Sequence, residues 1–184
     1  MDYERFFSED VAAFLPSPTR ELFKKVDISK IYSLAGGFPS PDTFPLDGMR
    51  ALVDSVLHKY GARAMQYGGT QGTAELVALL AESCGEESGN LQVTTSSQQG
   101  IDMCARLLLD PGDVVLVDAP SYLGALQSIR DYRARAVPFA EGYTVPEDAA
   151  KVKFAYVIPD FGNPSGRTMT LQERQELVRQ AREK

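Results

Sequence analysis

From residue 91 onward, the hydrophobic positions alternate between a strand pattern and a helix pattern. Short runs of apolar or alternating residues predict about four strands, at residues 92–95, 114–117, 136–139 and 153–158. Helical spacing of apolar residues between them predicts helices at residues 98–109 and 123–132, and a closing helix that starts at Thr170. Strands that alternate with helices indicate an α/β fold, with a mostly parallel sheet and helices on both of its faces.

The first half of the chain has fewer regular patterns. Residues 46–60 predict a helix with one apolar face, formed by Met49, Leu52, Val53, Val56 and Leu57. A second helix is predicted to begin at Thr73. Residues 35–45 are too rich in glycine and proline for regular structure, so they form either a plain connector or a loop that lies close to something else.

Composition excludes several classes of function. The net charge of −6 leaves no basic face for nucleic acid, and no apolar run approaches the roughly 20 residues of a membrane span. The first residues do not resemble a signal peptide. Two cysteines give no disulfide framework, and Cys104 is expected to be a small core residue of its helix. A cytoplasmic protein fits these observations.

Ser96, Ser97, Gln98 and Gly100 lie where a predicted strand gives way to a helix. Such a turn directs free backbone N–H groups and the positive end of the helix dipole outward, which suits a phosphate group. The alternative is that Ser97 simply caps the helix. Spacing and the lack of a lysine exclude a P-loop.

Two further polar segments follow predicted buried strands. Tyr122 comes shortly after the strand at 114–117, and Asn163 after the strand at 153–158. The carboxyl ends of parallel strands are where open α/β sheets bind ligands, so the Tyr122 ring could stack on a flat ligand and the Asn163 amide could donate to a polar group. The alternatives are a packing tyrosine and an ordinary Asn-Pro-Ser-Gly turn. His58 is the single histidine, which argues against a catalytic triad and against a zinc site; no metal site is predicted.

The order and spacing of these motifs resemble the fold-type I, pyridoxal-phosphate (PLP)-dependent aminotransferases of class I and II, in the 2-aminoadipate and kynurenine aminotransferase-like branch. The resemblance covers about residues 15–184 and rests on five segments: Ala35-Gly36-Gly37-Phe38-Pro39-Ser40-Pro41, Gln66-Tyr67, Ser97-Gln98-Gln99-Gly100, Asp118-Ala119-Pro120-Ser121-Tyr122 and Asn163-Pro164-Ser165-Gly166.

The resemblance implies specific roles. Ser97 and Gln98 would hold the PLP phosphate, Tyr122 would stack on the pyridine ring, and Asn163 would bond the ring hydroxyl. Tyr67 would reach the phosphate in the neighbouring subunit, which implies a homodimer. The substrates would be an amino acid and a 2-oxo acid, near Gly37, Phe38 and, less securely, Arg20. Residues 1–45 would form an N-terminal arm and substrate-covering loop, and residues 46–184 part of the PLP-binding domain.

Family members also use a lysine that binds PLP covalently, an aspartate on the pyridine nitrogen and an arginine for the substrate carboxylate. No residue of this sequence matches them, so the chain is expected to be an N-terminal portion that is inactive alone: a truncated gene product, a fragment, or one piece of a split enzyme that a C-terminal chain could complement. The alternative from another class is a non-catalytic module that binds PLP or a partner chain, or the product of a decayed gene. Only about 30 residues precede the glycine-rich loop, fewer than the roughly 60 of a helix-turn-helix domain, so a fused regulator is not favoured.

Overall fold

A computed structural model describes residues 3–8, 21, 24–27, 30–31, 37–147 and 149–183 of the chain. The chain divides into two compact units: Leu15–Val93, and Met1–Phe14 together with Thr94–Lys184. The predicted arm of residues 1–45 includes many positions outside the described residues, and the boundary at residue 45 stays a prediction.

Two helices organise the described part of the Leu15–Val93 unit. Helix α1 spans Leu46–Tyr60, as its sequence pattern predicts, and helix α2 spans Ala74–Cys84. The Thr73 side chain caps α2 by accepting from the Leu76 N–H, at 3.4 Å. Helix α2 buries two residues, whereas α1 buries none of its own.

The Thr94–Lys184 unit carries a three-stranded parallel sheet. Strands β1 (Val114–Val117), β2 (Arg135–Pro138) and β3 (Val152–Tyr156) lie in the order β2-β1-β3. The helices of this unit are α3 (Ser97–Leu108), α4 (Leu123–Asp131) and α5 (Leu171–Glu183). The predicted α/β class with a parallel sheet is confirmed, because both strand pairs are parallel. A parallel pair needs a long crossover connection, and α4 lies in the connection between β1 and β2.

The core of this unit centres on β1, whose four residues are all buried. Val115 and Val117 of β1 pack with Ala105, Leu109 and Ile129, which brings α3 and α4 onto the sheet. Complete burial of an aliphatic side chain of this size stabilises the fold by about 1.5–3 kcal/mol. The continuous apolar run at 114–117 therefore predicted its two-sided burial correctly.

The predicted strand at 92–95 is wrong. Its backbone does not join the sheet: the Val93 N–H donates to the Gln71 carbonyl at 2.9 Å, and the Gln92 side chain donates to the Thr70 carbonyl at 2.8 Å. Since these bonds tie the segment to an irregular loop, it has no strand partner among the described residues, and the sheet there has three strands rather than about four.

The expectation that Cys104 is a core residue is also wrong. Helix α3 buries Ala105, but Cys104 is exposed and Leu108 is 50% exposed. Fewer residues of α3 are buried than its run of apolar positions predicts. Across the described residues, no helix has the length and apolar character needed to cross a membrane.

Candidate functional site

The N-terminus of α3 is open at the carboxyl edge of the sheet. Ser96 occupies the position before the helix and its side chain makes no capping bond, while Ser97 is the first helical residue. The alternative in which Ser97 caps the helix is therefore wrong. The Gln99 side chain instead folds back to accept from the Thr95 N–H, at 2.7 Å. This geometry directs hydroxyl groups and the positive helix end toward solvent, where they can meet an anion.

Gln98 ties this helix end to the segment that carries Tyr122. Its amide nitrogen donates to the Gly124 carbonyl at 3.1 Å and to the Ser128 hydroxyl at 3.0 Å. Tyr122 is half-buried and directly precedes α4. The structure therefore brings Gln98, and with it the α3 N-terminus, next to Tyr122, as expected for residues that share a ligand.

Asp118 joins the carboxyl ends of β1 and β3. It follows β1, and its Oδ2 accepts from the Ile158 N–H beyond β3 at 3.2 Å. Tyr156, the last residue of β3, lies close by: burial, then the neighbouring Tyr122 and Asp118, raise its pKa above the ordinary value. Sequence reasoning assigned Asp118 and Tyr156 no role, although their positions at strand ends were a usable signal.

Three buried side-chain oxygens at this edge have no hydrogen-bond partner within the described part of the chain. They are Oε1 of Gln98, Oδ1 of Asp118 and Oγ of Ser121. A buried polar atom without a partner is costly, so unpaired oxygens mark a place that water or a polar ligand completes. The amide and carboxylate oxygens accept, so donor groups complete them, whereas the uncapped helix end and the half-buried Tyr122 ring fit a phosphorylated, flat ring such as PLP.

Asn163 lies in a tight turn beyond β3, where its side chain is exposed. The Gly162 N–H donates to the Arg167 carbonyl at 2.7 Å, and the Gly166 N–H donates to the Gly162 carbonyl at 2.5 Å. Asn163 thus belongs to the loop that follows β3, as predicted. The turn alternative describes its backbone correctly and is compatible with a ligand contact by its amide.

Arg174 of α5 holds the base of this turn. It donates to the carbonyls of Met169 (3.2 Å) and Pro159 (3.1 Å), and it pairs with Asp160 at 2.6 Å. The hydrogen bond with Arg174 lowers the pKa of Asp160. Sequence analysis missed Arg174, because an arginine on a helix surface has no pattern that marks its loop partner.

A second arginine connects the same loop to α5 and to a short turn after β2. Arg167 pairs with Glu173 and donates to the Tyr143 hydroxyl at 3.0 Å, with its guanidinium over the Tyr143 ring. Burial, and next the Asp118 side chain, raise the pKa of Tyr143. The Arg167 contacts link the loop after β3 to α5 and to Tyr143.

The other predicted site residues belong to the Leu15–Val93 part of the chain. Gly37, Phe38 and Tyr67 belong to the Leu15–Val93 unit, and Tyr67 is 99% exposed. Arg20 and Gly36 fall outside the described residues. The roles of all these residues stay predictions.

The two described lysines in the last third of the chain, Lys151 and Lys153, lie away from the carboxyl edge of the sheet, where Tyr122 and Asn163 lie. Lys153 pairs with Asp113 at 3.5 Å, just before β1 begins, and the Lys151 carbonyl accepts from the Val114 N–H at 2.9 Å. Both lysines are therefore at the amino edge of the parallel sheet, opposite the candidate site.

The chain belongs to the aminotransferase class I and II family, because the family's sequence model matches residues 33–184. The predicted family is thereby confirmed.

Individual relatives agree with this assignment. The chain is 38% identical to aromatic-amino-acid aminotransferase 1 of Thermococcus litoralis, over 97% of this chain and 47% of the relative. It is 33% identical to the 2-aminoadipate transaminase of Thermus thermophilus, over 100% of this chain and 48% of the relative. The chain thus spans about half the length of the curated relatives that it matches.

Solved structures give the same result. The Pyrococcus horikoshii kynurenine aminotransferase, in complex with PMP, matches with a TM-score of 0.84 and 37% identity, over 99% of this chain and 50% of that one. The α-aminoadipate aminotransferase of Thermus thermophilus, complexed with N-(5'-phosphopyridoxyl)-L-leucine, matches with a TM-score of 0.85 and 32% identity, over 100% and 48%. PLP is therefore confirmed as the cofactor of this family.

Proposed function

We propose that this chain forms the cofactor-holding portion of a PLP-dependent aminotransferase, which transfers an amino group from an amino acid to a 2-oxo acid. One observation carries the proposal: Gln98 holds the open N-terminus of α3 next to the Tyr122 ring, at the carboxyl edge of a parallel sheet. An anion site beside an aromatic ring matches the two ends of PLP, its phosphate and its pyridine ring.

Three side chains divide the work of binding. The Ser97 hydroxyl and the first N–H groups of α3 hold the phosphate, with support from the helix dipole. The Tyr122 ring covers one face of the pyridine and excludes water there, and the Asn163 amide donates to the ring hydroxyl. When bound, PLP serves as an electron sink for bond changes at the amino-acid Cα.

The substrate side of the proposal involves the other unit. Gly37 and Phe38 would cover the substrate, Arg20 would meet an acidic side chain, and Tyr67 would reach the cofactor of a second subunit in a homodimer. The relatives named for aromatic amino acids, kynurenine and 2-aminoadipate favour an acidic or aromatic amino donor.

The positions of Lys151 and Lys153 favour a second candidate for the chain by itself, a module that binds PLP without catalysis. Both lie at the amino edge of the sheet, so neither can reach a ring stacked on Tyr122 at the carboxyl edge. On this proposal, transamination requires a further lysine, supplied by a C-terminal portion or a complementing chain.

The test is an equilibrium titration of the purified chain with PLP, followed by borohydride reduction and intact-mass analysis. We expect saturable binding and no reduced adduct at one specific lysine. Tyr122→Ala should weaken binding by up to about tenfold, the scale of one aromatic contact. Tyr122→Phe is the matched control, because it keeps the ring and should bind PLP nearly as the wild type does.

Each result separates the candidates. Absence of saturable binding overturns the proposed cofactor role. A specific lysine adduct with measurable turnover overturns the non-catalytic candidate and shows that the chain completes its own active site. Equal weakening by Tyr122→Ala and Tyr122→Phe overturns the stacking role.

A further inference from the structure

Gly124, the second residue of α4, is the most crowded of the described glycines. A methyl group built on it would lie 2.6 Å from the ring carbons Cε1 and Cζ of Tyr122, and closer still to Oε1 of Gln98. Its φ is not in the left-handed region, so the backbone conformation does not require glycine. The requirement is one of space.

Other helical glycines lack this crowding. Gly48, the third residue of α1, has only the Pro45 Cβ near a built methyl group, at 3.9 Å, and Gly100 in α3 has no atom within 4 Å. An alanine at either position would be accommodated, and in a helix it would be favoured by up to about 1 kcal/mol. Close packing is thus particular to Gly124 among these three.

Of the two neighbours of Gly124, the Gln98 side chain is held by hydrogen bonds and the Tyr122 ring is partly enclosed. The Gln98 amide is fixed by its bonds to the Gly124 carbonyl and to Ser128, which is 4% exposed. The Tyr122 ring is half-buried and lies near Tyr156. Burial, and next the nearby Tyr122, raise the pKa of Tyr156. A side chain at position 124 would therefore displace the ring, the amide or both.

We propose that Gly124 is a positioning residue: its lack of a side chain sets the location of the Tyr122 ring against the start of α4. A methyl group at position 124 would lie 2.6 Å from the Tyr122 ring carbons, whereas an ordinary contact between such atoms is at least 3.4 Å. The ring would therefore have to move by roughly 0.8 Å. The consequence for the cofactor rests on the proposed function, since a ring displaced by that distance no longer matches the pyridine plane.

The experiment uses the 184-residue chain labelled with 3-fluorotyrosine and observed by fluorine NMR, with no cofactor present. The Tyr122 signal is assigned by its loss in Tyr122→Phe. We expect Gly124→Ala to move this signal and to leave the other tyrosine signals in place. Gly48→Ala, an alanine near the start of another helix, should leave the Tyr122 signal unchanged.

A PLP titration of the same samples measures the functional consequence. Gly124→Ala should weaken the Kd for PLP by several-fold and up to about tenfold, and Gly48→Ala should not change it. If Gly124→Ala does not fold by circular dichroism, the double variant Gln98→Ala/Gly124→Ala removes the closest clash and leaves the one with Tyr122.

An unmoved Tyr122 signal in the folded Gly124 variant overturns the proposal. A moved signal with an unchanged Kd supports the placement of the ring by Gly124 and overturns its consequence for the cofactor. A shift of equal size in Gly48→Ala overturns the proposal as well. If the wild type does not bind PLP, the proposed function fails, and the fluorine signal alone then decides whether Gly124 places the ring.

Discussion

Helices α1 and α4 have the same kind of sequence and different surroundings. Both are amphipathic, but α4 buries Ala125, Ser128 and Ile129 against its unit's core, whereas α1 leaves its entire apolar stripe partly exposed. Val56 and Leu57, the least exposed members of that stripe, are each 44% exposed. A hydrophobic pattern therefore establishes that a helix forms and which of its faces is apolar, but it does not establish what covers that face.

The difference comes from what lies nearby along the chain. Helix α4 sits between β1 and β2, so the parallel connection that it forms presses its apolar face onto the sheet. Helix α1 has no strand within its own unit among the described residues. Packing energy is thus concentrated in the Thr94–Lys184 unit.

The largest expected effect separates these two helices directly. Ile129→Ala removes a side chain that is 2% exposed and should lower the free energy of unfolding by about 3 kcal/mol, within the range for core Ile→Ala changes. Leu52→Ala, in a side chain that is 61% exposed, should cost less than about 0.5 kcal/mol. Urea unfolding of both variants measures the contrast.

A loss for Leu52→Ala that matches that for Ile129→Ala would contradict the comparison, because it would mean that α1 is covered in solution. A small loss for both would mean that the core around β1 does not hold the unit together.

The same contrast explains what sequence could predict. The bounds of α1, the strand at 114–117 and the capping of α5 follow from local chemistry, and the structure confirms them. The strand at 92–95 and the burial of Cys104 depended on partners distant in sequence, and both predictions were wrong.

The candidate site divides in the same way. Tyr122 and Asn163 could be selected because each follows a strand, where the topology itself places ligands. The selection of Ser97 rests on a strand at 92–95 that does not form, although Ser97 does begin α3. Arg174 and Gly124 could not be selected, since the first acts through carbonyls of a distant loop and the second through space that only the folded chain reveals.

The two units also differ in how their helices are capped, and removing the caps should change the free energy of unfolding by an intermediate amount. Thr170 caps α5 through reciprocal bonds with Glu173, at 2.8 and 3.3 Å, whereas Thr73 caps α2 through a single bond of 3.4 Å. Thr170→Ala should cost about 1 kcal/mol and Thr73→Ala roughly half of that. Thermal unfolding measures both, and Thr→Ser at each position, which keeps the hydroxyl, should restore most of the loss. A larger loss at Thr73 would reverse the ranking of the two units.

The smallest effect is a pH dependence confined to the Thr94–Lys184 unit. The backbone N–H of Thr170, and next the Arg167 guanidinium, hold the pKa of Glu173 below its ordinary value of 4.5. Because the folded pKa is lowered, this carboxylate stabilises the fold above about pH 4.5, and the contribution is lost as the pH falls through the folded pKa. Glu173→Gln keeps an acceptor for the Thr170 N–H but cannot titrate. Unfolding midpoints measured between about pH 6 and pH 3 should therefore fall less steeply for this variant than for the wild type. Parallel curves would show that Glu173 has the same pKa in the folded and unfolded chain, and that its bonds to Thr170 and Arg167 do not persist in solution.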